Sequence, residues 1–573
     1  METDCGMELH LGDRTVKVPA KMKLMYSDFA VNEISAEKEV LRLKSREEIA
    51  QQVAISDQPA VIDTAVERPA TISAEVEEKI DEIFTKKSGF VDFPIQELDK
   101  EQRKEVHVFV RKRYAGQLVS ETQPQAIRVA YGRKNLNVAR RDVPDFCHFT
   151  LAKEATETAY ALQLLSKFMN IKQKDCFKSC GIKDRRAVTT QRISVPRTTI
   201  EKLLDLNKRL RNIQVYDCQY MKTPLKLGAH WGNRFNIILR DIQEEQHGMI
   251  QERIAEFPKR GFINYFGTQR FGSFGTSTAD VGREILRRNW EAAITLILSN
   301  KGANGTVGDA TAEWAKSKDA KKAWYMIQGA TRFASVEGQI LGALAKGASW
   351  QEAILKLPPF TASIYIHAYQ SLLWNKAASR RVREGGEKTI PGDFDAEGKP
   401  LADGASHFSI YMPIPGTQVE SPNYACEWFD EMLTADGLTV DSFKSLHSRF
   451  ALGDSHRPLF ILPEDVESEF LEYEDERALL LPGLVTKALE PEARGSGRHA
   501  LRIAFSLPSG TYATVALRQI TGFDMGKQSM KELSSIPVDD AADEDVENAE
   551  ETEDEPAKKR LKETIDDSAT VVA

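Results

Sequence analysis

The chain reads as an α+β protein: a sheet domain with flanking helices, interrupted by an inserted helix-rich domain and followed by a disordered acidic tail. Three observations predict this. Strand and helix patterns alternate between His148 and Arg240. From Trp290 to about Leu480 apolar residues recur at helical spacing instead. After Ala500, strand-type runs return and match the earlier strands in type, as a sheet split by an insertion requires. The expected divisions are 1–43 (N-terminal segment and first strand), 44–140 (an insertion with a basic helical unit), 141–260 (sheet domain, first part), 261–484 (inserted helical domain), 485–530 (sheet domain, second part) and 531–573 (tail).

The first strand comes early. Asp28-Phe29-Ala30-Val31-Asn32-Glu33-Ile34 alternates apolar and polar residues as a half-buried strand does. Residues Lys44 to Ile72 are polar and weakly periodic, the pattern of an insertion or linker. A compact unit is expected from Ser73 to about Ala139. Within it Arg103 and His107 stand four apart on a helix, with Arg111, Lys112 and Arg113 further on. That spacing puts Arg103, His107 and Arg111 on one face. The Arg-x-x-x-His face resembles a small module associated with single-stranded nucleic acid; a solvated basic helix face explains it equally well.

His148 to Lys153 reads as a strand, and Thr156 to Asn170 as a helix with Ala161, Leu162, Leu165, Phe168 and Met169 as a core stripe. A second strand ends at Val195, with Gln191, Ile193 and Val195 on one face and Pro196 as terminator. Thr198-Thr199-Ile200-Glu201 is a capping box for a helix that turns Leu203, Leu204 and Leu210 inward. Phe235 to Arg240 is a further strand. No Gly-x-Gly-x-x-Gly or Walker-type loop follows any strand, which argues against a nucleotide-cofactor enzyme. Later, Val336 to Lys346, Trp350 to Leu357 and Ser363 to Arg383 are periodic helices, and Glu384 to Ser406 is a loop rich in Gly, Pro and Asp. Leu501 to Leu507 and Thr511 to Arg518 flank Pro508-Ser-Gly510 and predict a hairpin.

At 573 residues, 41% hydrophobic and 28% charged, the composition is that of an ordinary soluble protein of three or four domains. No apolar run is long enough to cross a bilayer, and the N-terminus lacks the pattern of a secretory signal. Six cysteines without framework spacing predict thiols in a reducing, intracellular compartment. Cys176 and Cys180 are four apart, but no second Cys/His pair completes a metal site. The net charge of −8 is misleading as a whole-chain figure. Asp539 to Glu555 hold eleven acidic and no basic side chains, so the rest of the chain is mildly basic, at +3. Such a stretch has too few apolar residues to fold. Behind it, Lys558-Lys559-Arg560-Leu561-Lys562 reads as a nuclear-import signal or a solvated charge run.

The most informative segment is Gly181-Ile-Lys-Asp-Arg-Arg-Ala-Val-Thr-Thr-Gln191. One carboxylate, Asp184, sits among Lys183, Arg185 and Arg186 on a turn that opens a strand. Such a carboxylate stays ionised and can act on an anionic polymer drawn in by the cations. A charged turn with a local salt bridge accounts for the same residues.

Three further segments stand beside it: Leu227-Gly-Ala-His-Trp-Gly-Asn-Arg-Phe235, Gly261-Phe-Ile-Asn-Tyr-Phe-Gly-Thr-Gln-Arg-Phe-Gly272 and Tyr365-Ile-His-Ala-Tyr-Gln-Ser-Leu-Leu-Trp-Asn375. In this order the four resemble the TruD family of RNA pseudouridine synthases, in its eukaryotic branch. Asp28-Phe29-x-Val31-x-Glu33, Lys153 with Thr158, and Tyr512 to Arg518 are secondary matches. The resemblance implies a pseudouridine-synthase fold, a mixed and largely antiparallel sheet with flanking helices and an inserted TRUD domain. It implies that uridine in RNA is isomerised to pseudouridine without cofactor or metal. The family's substrate is a D-arm uridine of transfer RNA (position thirteen), with other non-coding and messenger RNAs, small nuclear RNA among them, as further partners of eukaryotic members. No membrane and no obligate protein partner is expected, and the chain is expected to be a monomer in the nucleus, with a cytoplasmic pool.

Residue by residue, Asp184 resembles the family's catalytic aspartate. The chemistry wants an ionised carboxylate at the anomeric carbon, to attack it or to assist proton removal and stabilise charge on the sugar. Lys153 resembles a family lysine placed to pair with that aspartate. Phe235 resembles the aromatic over the target base, Asn233 supplies an amide beside it, and Gly232 permits close backbone approach. Arg270 is placed to contact phosphate or to cap its Gly-rich segment. Tyr365, Tyr369 and Trp374 read as packing, and Asn264 and Tyr265 as either structural or substrate-facing. Gln519, after Arg518, leaves open what pairs with that arginine. A non-catalytic RNA-binding protein or RNA chaperone on the same scaffold is the alternative. A sugar or nucleoside hydrolase would want a second catalytic acid, and none stands out.

Overall fold

The computed structural model describes residues 2–533 apart from 57–65, 87, 96–97, 115–117, 132–144, 172–175, 273–276, 300–304, 330, 417–422, 445–449, 451 and 453–454. The expected acidic tail and basic cluster therefore lie outside the described residues. Two compact units form: residues 31–231 with 482–487, and the remainder of the described chain.

In the first unit, four strands lie in the order β1 (Phe29–Ile34, whose first two residues belong to the second unit), β3 (Val188–Pro196), β2 (Phe146–Glu154) and β4 (Ile213–Met221). β2 runs antiparallel to both neighbours, with Lys153 opposite Thr189 on one side and Ile213 on the other. Helix α2 (Thr158–Phe168) turns Ala161 and Leu165 onto Phe149, Leu151, Ile193, Val195 and Val215. This apolar stripe is the one its helical spacing predicts. Thr199, one residue later than the capping box suggested, is the cap of the short helix Ile200–Leu204 and accepts from Lys202 N.

The insertion forms its own core. Strands Phe90–Pro94, Ala126–Tyr131 and Leu118–Thr122 make an antiparallel sheet in that order. Helix α1 (Lys100–Arg113) supplies Val106, Phe109 and Val110 to a cluster with Ile80, Phe84, Ile127 and Val129. On its Arg-x-x-x-His face, His107 bonds Ser120 Oγ at 2.7 Å and Thr122 Oγ1 at 2.9 Å, and Arg103 Nε donates to Leu98 O. Both side chains are engaged within the unit.

In the second unit β5 (Gly232–Arg240), β7 (Arg498–Pro508) and β6 (Glu464–Tyr473) pair antiparallel, with β7 central. Helix α3 (His247–Arg260) packs Phe257 5.8 Å from the ring of Phe505. Asp28 and Arg240, both fully buried, close a two-pronged ion pair at 2.8 and 2.6 Å. The helical part centres on α4 (Pro359–Gly385), crossed closely by Thr278–Leu286, where a Cβ on Gly282 would strike the carbonyl of Tyr365.

Two sequence expectations fail. Thr511 to Arg518 is not the second strand of a hairpin: residues 513–521 form helix α5, ended by Gly522 in the left-handed region at φ 65°. Thr514, Arg518 and Thr521 do recur at helical spacing, but all nine residues are buried, and a short run with Thr, Val and Ile after a Pro-Ser-Gly turn reads equally as strand. Conversely β6 lies inside the stretch read as helical. It carries Glu464, Asp465, Glu467, Glu469 and Glu472, and an acid-rich strand with one neighbour need not show apolar alternation. Arg518 and Gln519 on α5 hold the N-terminal segment: Arg518 donates to Met7 O, Leu9 O and Glu2, while Gln519 exchanges bonds with Leu11. Glu2 and two carbonyls are thus the partners of Arg518.

Candidate active site

The Asp184 loop, residues 181–187, enters β3 and is held from beneath by side chains of three strands and a helix. Lys153, fully buried on β2, donates from Nζ to the carbonyl of Asp184 at 2.8 Å and to that of Lys183 at 3.3 Å. Thr158 on α2 donates to Gln191 Oε1 at 3.1 Å, and Gln191 Nε2 donates to Gly181 O at 3.0 Å. The carbonyls of Gly181, Lys183 and Asp184 are thus satisfied by side chains, while those of Arg185 and Ala187 accept from main-chain N–H groups.

Lys183 is the unexpected member. Its ammonium lies 3.0 Å from Glu33 Oε2 on β1, and the side chains are only 4% and 2% exposed. Glu33 Oε1 also accepts from Arg192 N at 3.1 Å. The pair fixes the residue immediately before Asp184. Asp184 itself is half-buried, Arg185 is exposed and Arg186 half-buried. Of the three cations around the aspartate, one is therefore a buried anchor.

Burial pushes the Lys153 ammonium down to about 8, against the opposing pull of Asp184 and then Glu157. Its hydrogen bonds go to main-chain oxygens, so it positions the loop through the backbone while its charge favours an ionised Asp184. His230 closes the side of the loop. A Cβ on Gly181 would meet His230 Cε1 at 3.5 Å, and Gly228 N donates to Cys180 O. Burial holds His230 below its usual value, with Lys183 pushing the same way.

Asn233, Phe235 and Arg270 belong to the second unit. Phe235 is 7% exposed on β5, opposite Phe505 and 6.1 Å from the ring of Phe29. Asn233 Oδ1 is buried without a hydrogen-bond partner among the described residues. A Cβ on Gly232 would strike the carbonyl of Leu507, so only glycine fits there. Arg270 sits half-buried in the 3₁₀ turn Thr268–Phe271. The other motif residues are structural. Asn264 bonds Pro458 O, Tyr265 bonds Ser379, Tyr369 bonds Asp436, and Trp374 is fully buried. Asn375, which had drawn no role, bonds the main chain of Phe266 in both directions.

Sequence reasoning quoted Glu33, Thr158 and Gln191 inside motifs but gave them no role. Their signal was a polar residue on an otherwise apolar strand or helix face. Among the described residues no group of three His, Cys, Asp or Glu side chains is placed to hold a metal.

The arrangement of the described elements has a counterpart among solved structures. The crystal structure of a TruD-type protein from Methanosarcina mazei superposes with a TM-score of 0.52, covering 91% of this chain and 98% of that one at 20% identity. Residues 128–520 match the family described as tRNA pseudouridine synthase D (TruD), and the chain belongs to that family. Its relatives include the human pseudouridylate synthase 7 homolog, 32% identical over 90% of this chain and 80% of that protein. A Caenorhabditis elegans protein whose name assigns it provisionally to the pseudouridine synthases is 42% identical over 93% of this chain and 94% of its own length. The multisubstrate pseudouridine synthase 7 of Schizosaccharomyces pombe is 28% identical over 74% and 70%. The chain is thus an isomerase of the kind that acts on uridine in RNA.

Proposed function

We propose that this chain isomerises a D-arm uridine of transfer RNA, and uridines of other non-coding and messenger RNAs, with Asp184 as the catalytic carboxylate and no cofactor. The observation that carries the reading is the clamp on residues 181–187, which spends a buried lysine and a buried ion pair on placing one half-exposed aspartate. In the reaction the bond between uracil N1 and ribose C1′ breaks, the base turns over, and C5 bonds to C1′ while the C5 proton leaves and N1 gains one. Asp184 acts on the ribose, either as nucleophile at the electron-poor C1′ or as the base that takes the C2′ proton and starts the elimination. Lys153 keeps the carboxylate ionised and oriented. Asn233 and Phe235 are assigned to the flipped uracil, by their places in the Gly-Asn-x-Phe motif. Arg270 is assigned to the RNA backbone.

The same reading takes the protein as a monomer that acts in the nucleus, with a cytoplasmic pool. Among the described residues no helix is long and apolar enough to cross a membrane. The test is Asp184→Asn on a transfer RNA transcript. Pseudouridine formation is expected to vanish while RNA affinity is retained. Product at the wild-type rate would sink the assignment, and tight binding with no isomerisation by the wild type would favour the RNA-chaperone reading.

A further inference from the structure

Arg457 is 7% exposed and has no carboxylate partner among the described residues. Its guanidinium donates instead to Asn264 O at 2.9 Å, Asn264 Oδ1 at 2.8 Å and Gly510 O at 2.8 Å, and stacks 4.0 Å from the centroid of Phe266. Carbonyl dipoles satisfy its N–H groups but cancel none of its charge. Burial lowers its proton affinity to about 10, and the neighbouring charge of Arg270 pushes in the same direction.

Arg270 approaches the same ring, its guanidinium carbon 6.0 Å from the Phe266 centroid. The two cations therefore lie within about one Debye length of each other, where repulsion is little screened. Arg270 Nε is sealed from water with no acceptor among the described residues. His367 is in the same field: burial holds its ring below the usual value, the hydrogen bond with Gln370 opposing and Arg270 pushing with burial, and an imidazole supplies no negative charge in either form. Two like charges and an orphaned donor cost stability in the free protein, and a bound anion offsets that cost.

We propose that Arg270 is the contact of an RNA phosphodiester subsite, with Arg457 behind the Phe266 ring supplying a fixed positive field. Arg457 spends its donors on carbonyls and cannot turn to the ligand. Arg270 spends none on the described residues, and its fork matches two phosphate oxygens. A backbone contact of this kind sets register on the RNA without reading sequence. The identity of the anion as RNA rests on the isomerase reading above; the geometry of the subsite does not.

The test is binding of the full chain to a transfer RNA transcript between about 50 and 200 mM salt, a range over which phosphate contacts are strongly screened. Arg270→Gln is expected to lower affinity about tenfold, the size of one charge-assisted hydrogen bond. It is also expected to reduce the slope of log affinity against log salt by about 0.7–0.9, one phosphate's worth. Arg270→Lys keeps the charge and should keep the slope. Inorganic pyrophosphate should raise the thermal midpoint of the wild type and leave that of Arg270→Gln unmoved. An Arg270→Gln protein with wild-type slope and affinity overturns the proposal, as does a wild type whose midpoint ignores pyrophosphate. Both readouts are independent of product formation. An Asp184→Asn protein that still makes pseudouridine would remove the catalytic assignment and leave this one standing.

Discussion

Lys183 Nζ and Glu33 Oε2 lie 3.0 Å apart with their side chains almost wholly out of water, one residue from Asp184, the proposed catalytic carboxylate. An ion pair taken out of water gains little net stability, so its presence here is better explained by what it orients. Removing one partner leaves a buried charge without compensation. Glu33→Gln is therefore expected to cost about 3–5 kcal/mol. In Glu33→Gln/Lys183→Met most of that loss should return, because no charge remains stranded. If the pair only stabilises, the double variant recovers activity along with stability. If it positions Asp184, kcat stays low while the unfolding midpoint recovers, and that is the outcome expected.

Lys153 gives a pH dependence. Its ammonium is held at about 8, below the ordinary lysine value, chiefly by burial. Below pH 8 the folded protein bears the cost of a buried charge. Above it the folded state releases a proton that the unfolded chain keeps until about pH 10.4, so this lysine's penalty on stability shrinks as pH rises. Activity should move the other way. The neutral amine no longer favours an ionised, oriented Asp184, and kcat should fall through an alkaline limb near pH 8. Lys153→Arg, which cannot deprotonate in that range, should shift the limb upward or abolish it. A limb identical in both proteins would show that another group controls it.

Gly232 isolates a steric requirement from a chemical one. Strand pairing puts the Leu507 carbonyl where a Cβ at this position would lie. Gly232→Ala should therefore push β5 from β7 at a cost of about 1–3 kcal/mol, the range for overpacking. Denaturant unfolding measures it. A change within about 0.5 kcal/mol, as at an ordinary surface site, would mean the pairing relaxes freely.

What was legible in the sequence follows the range of the forces involved. The α2 stripe and the alternation of Phe29–Ile34 are local patterns, and both elements form where they point. The Asp184 turn was visible because four charged residues cluster between a glycine and a β-type run. The clamp beneath it was not. Glu33 meets Lys183 and Leu41 meets Thr190 across some 150 residues of chain, and nothing local marks the partner. Composition misled elsewhere. α5 is a short run with Thr, Val and Ile after a turn, which suits a strand as well as a helix, while β6 carries acids where a core strand would carry valines. The resemblance pairs Lys153 with a carboxylate, whereas its hydrogen bonds run to the main chain of Asp184 and Lys183, a distinction that only coordinates express.

Arg518 links α5 to the first residues of the chain and carries the last prediction. Its guanidinium bonds Leu9 O at 2.8 Å and Met7 O at 3.0 Å, and its Nε reaches Glu2. Gln519 adds bonds in both directions to Leu11. Burial raises Glu2 to about 7, with Arg518 opposing, so the segment is held as much by the carbonyl bonds as by charge. Arg518→Met keeps the apolar stem and removes every donor. Buried Met7 and half-buried Leu9 would keep their apolar contacts but lose the bonds that fix their main chain, and a segment freed in this way becomes a protease site before the core opens. Limited proteolysis followed by mass spectrometry should show cleavage within residues 2–14 of Arg518→Met at a protease level that leaves the wild type whole. The global unfolding midpoint should fall by much less than the cleavage rate rises. Equal resistance in the two proteins would show that packing alone secures the N-terminal segment.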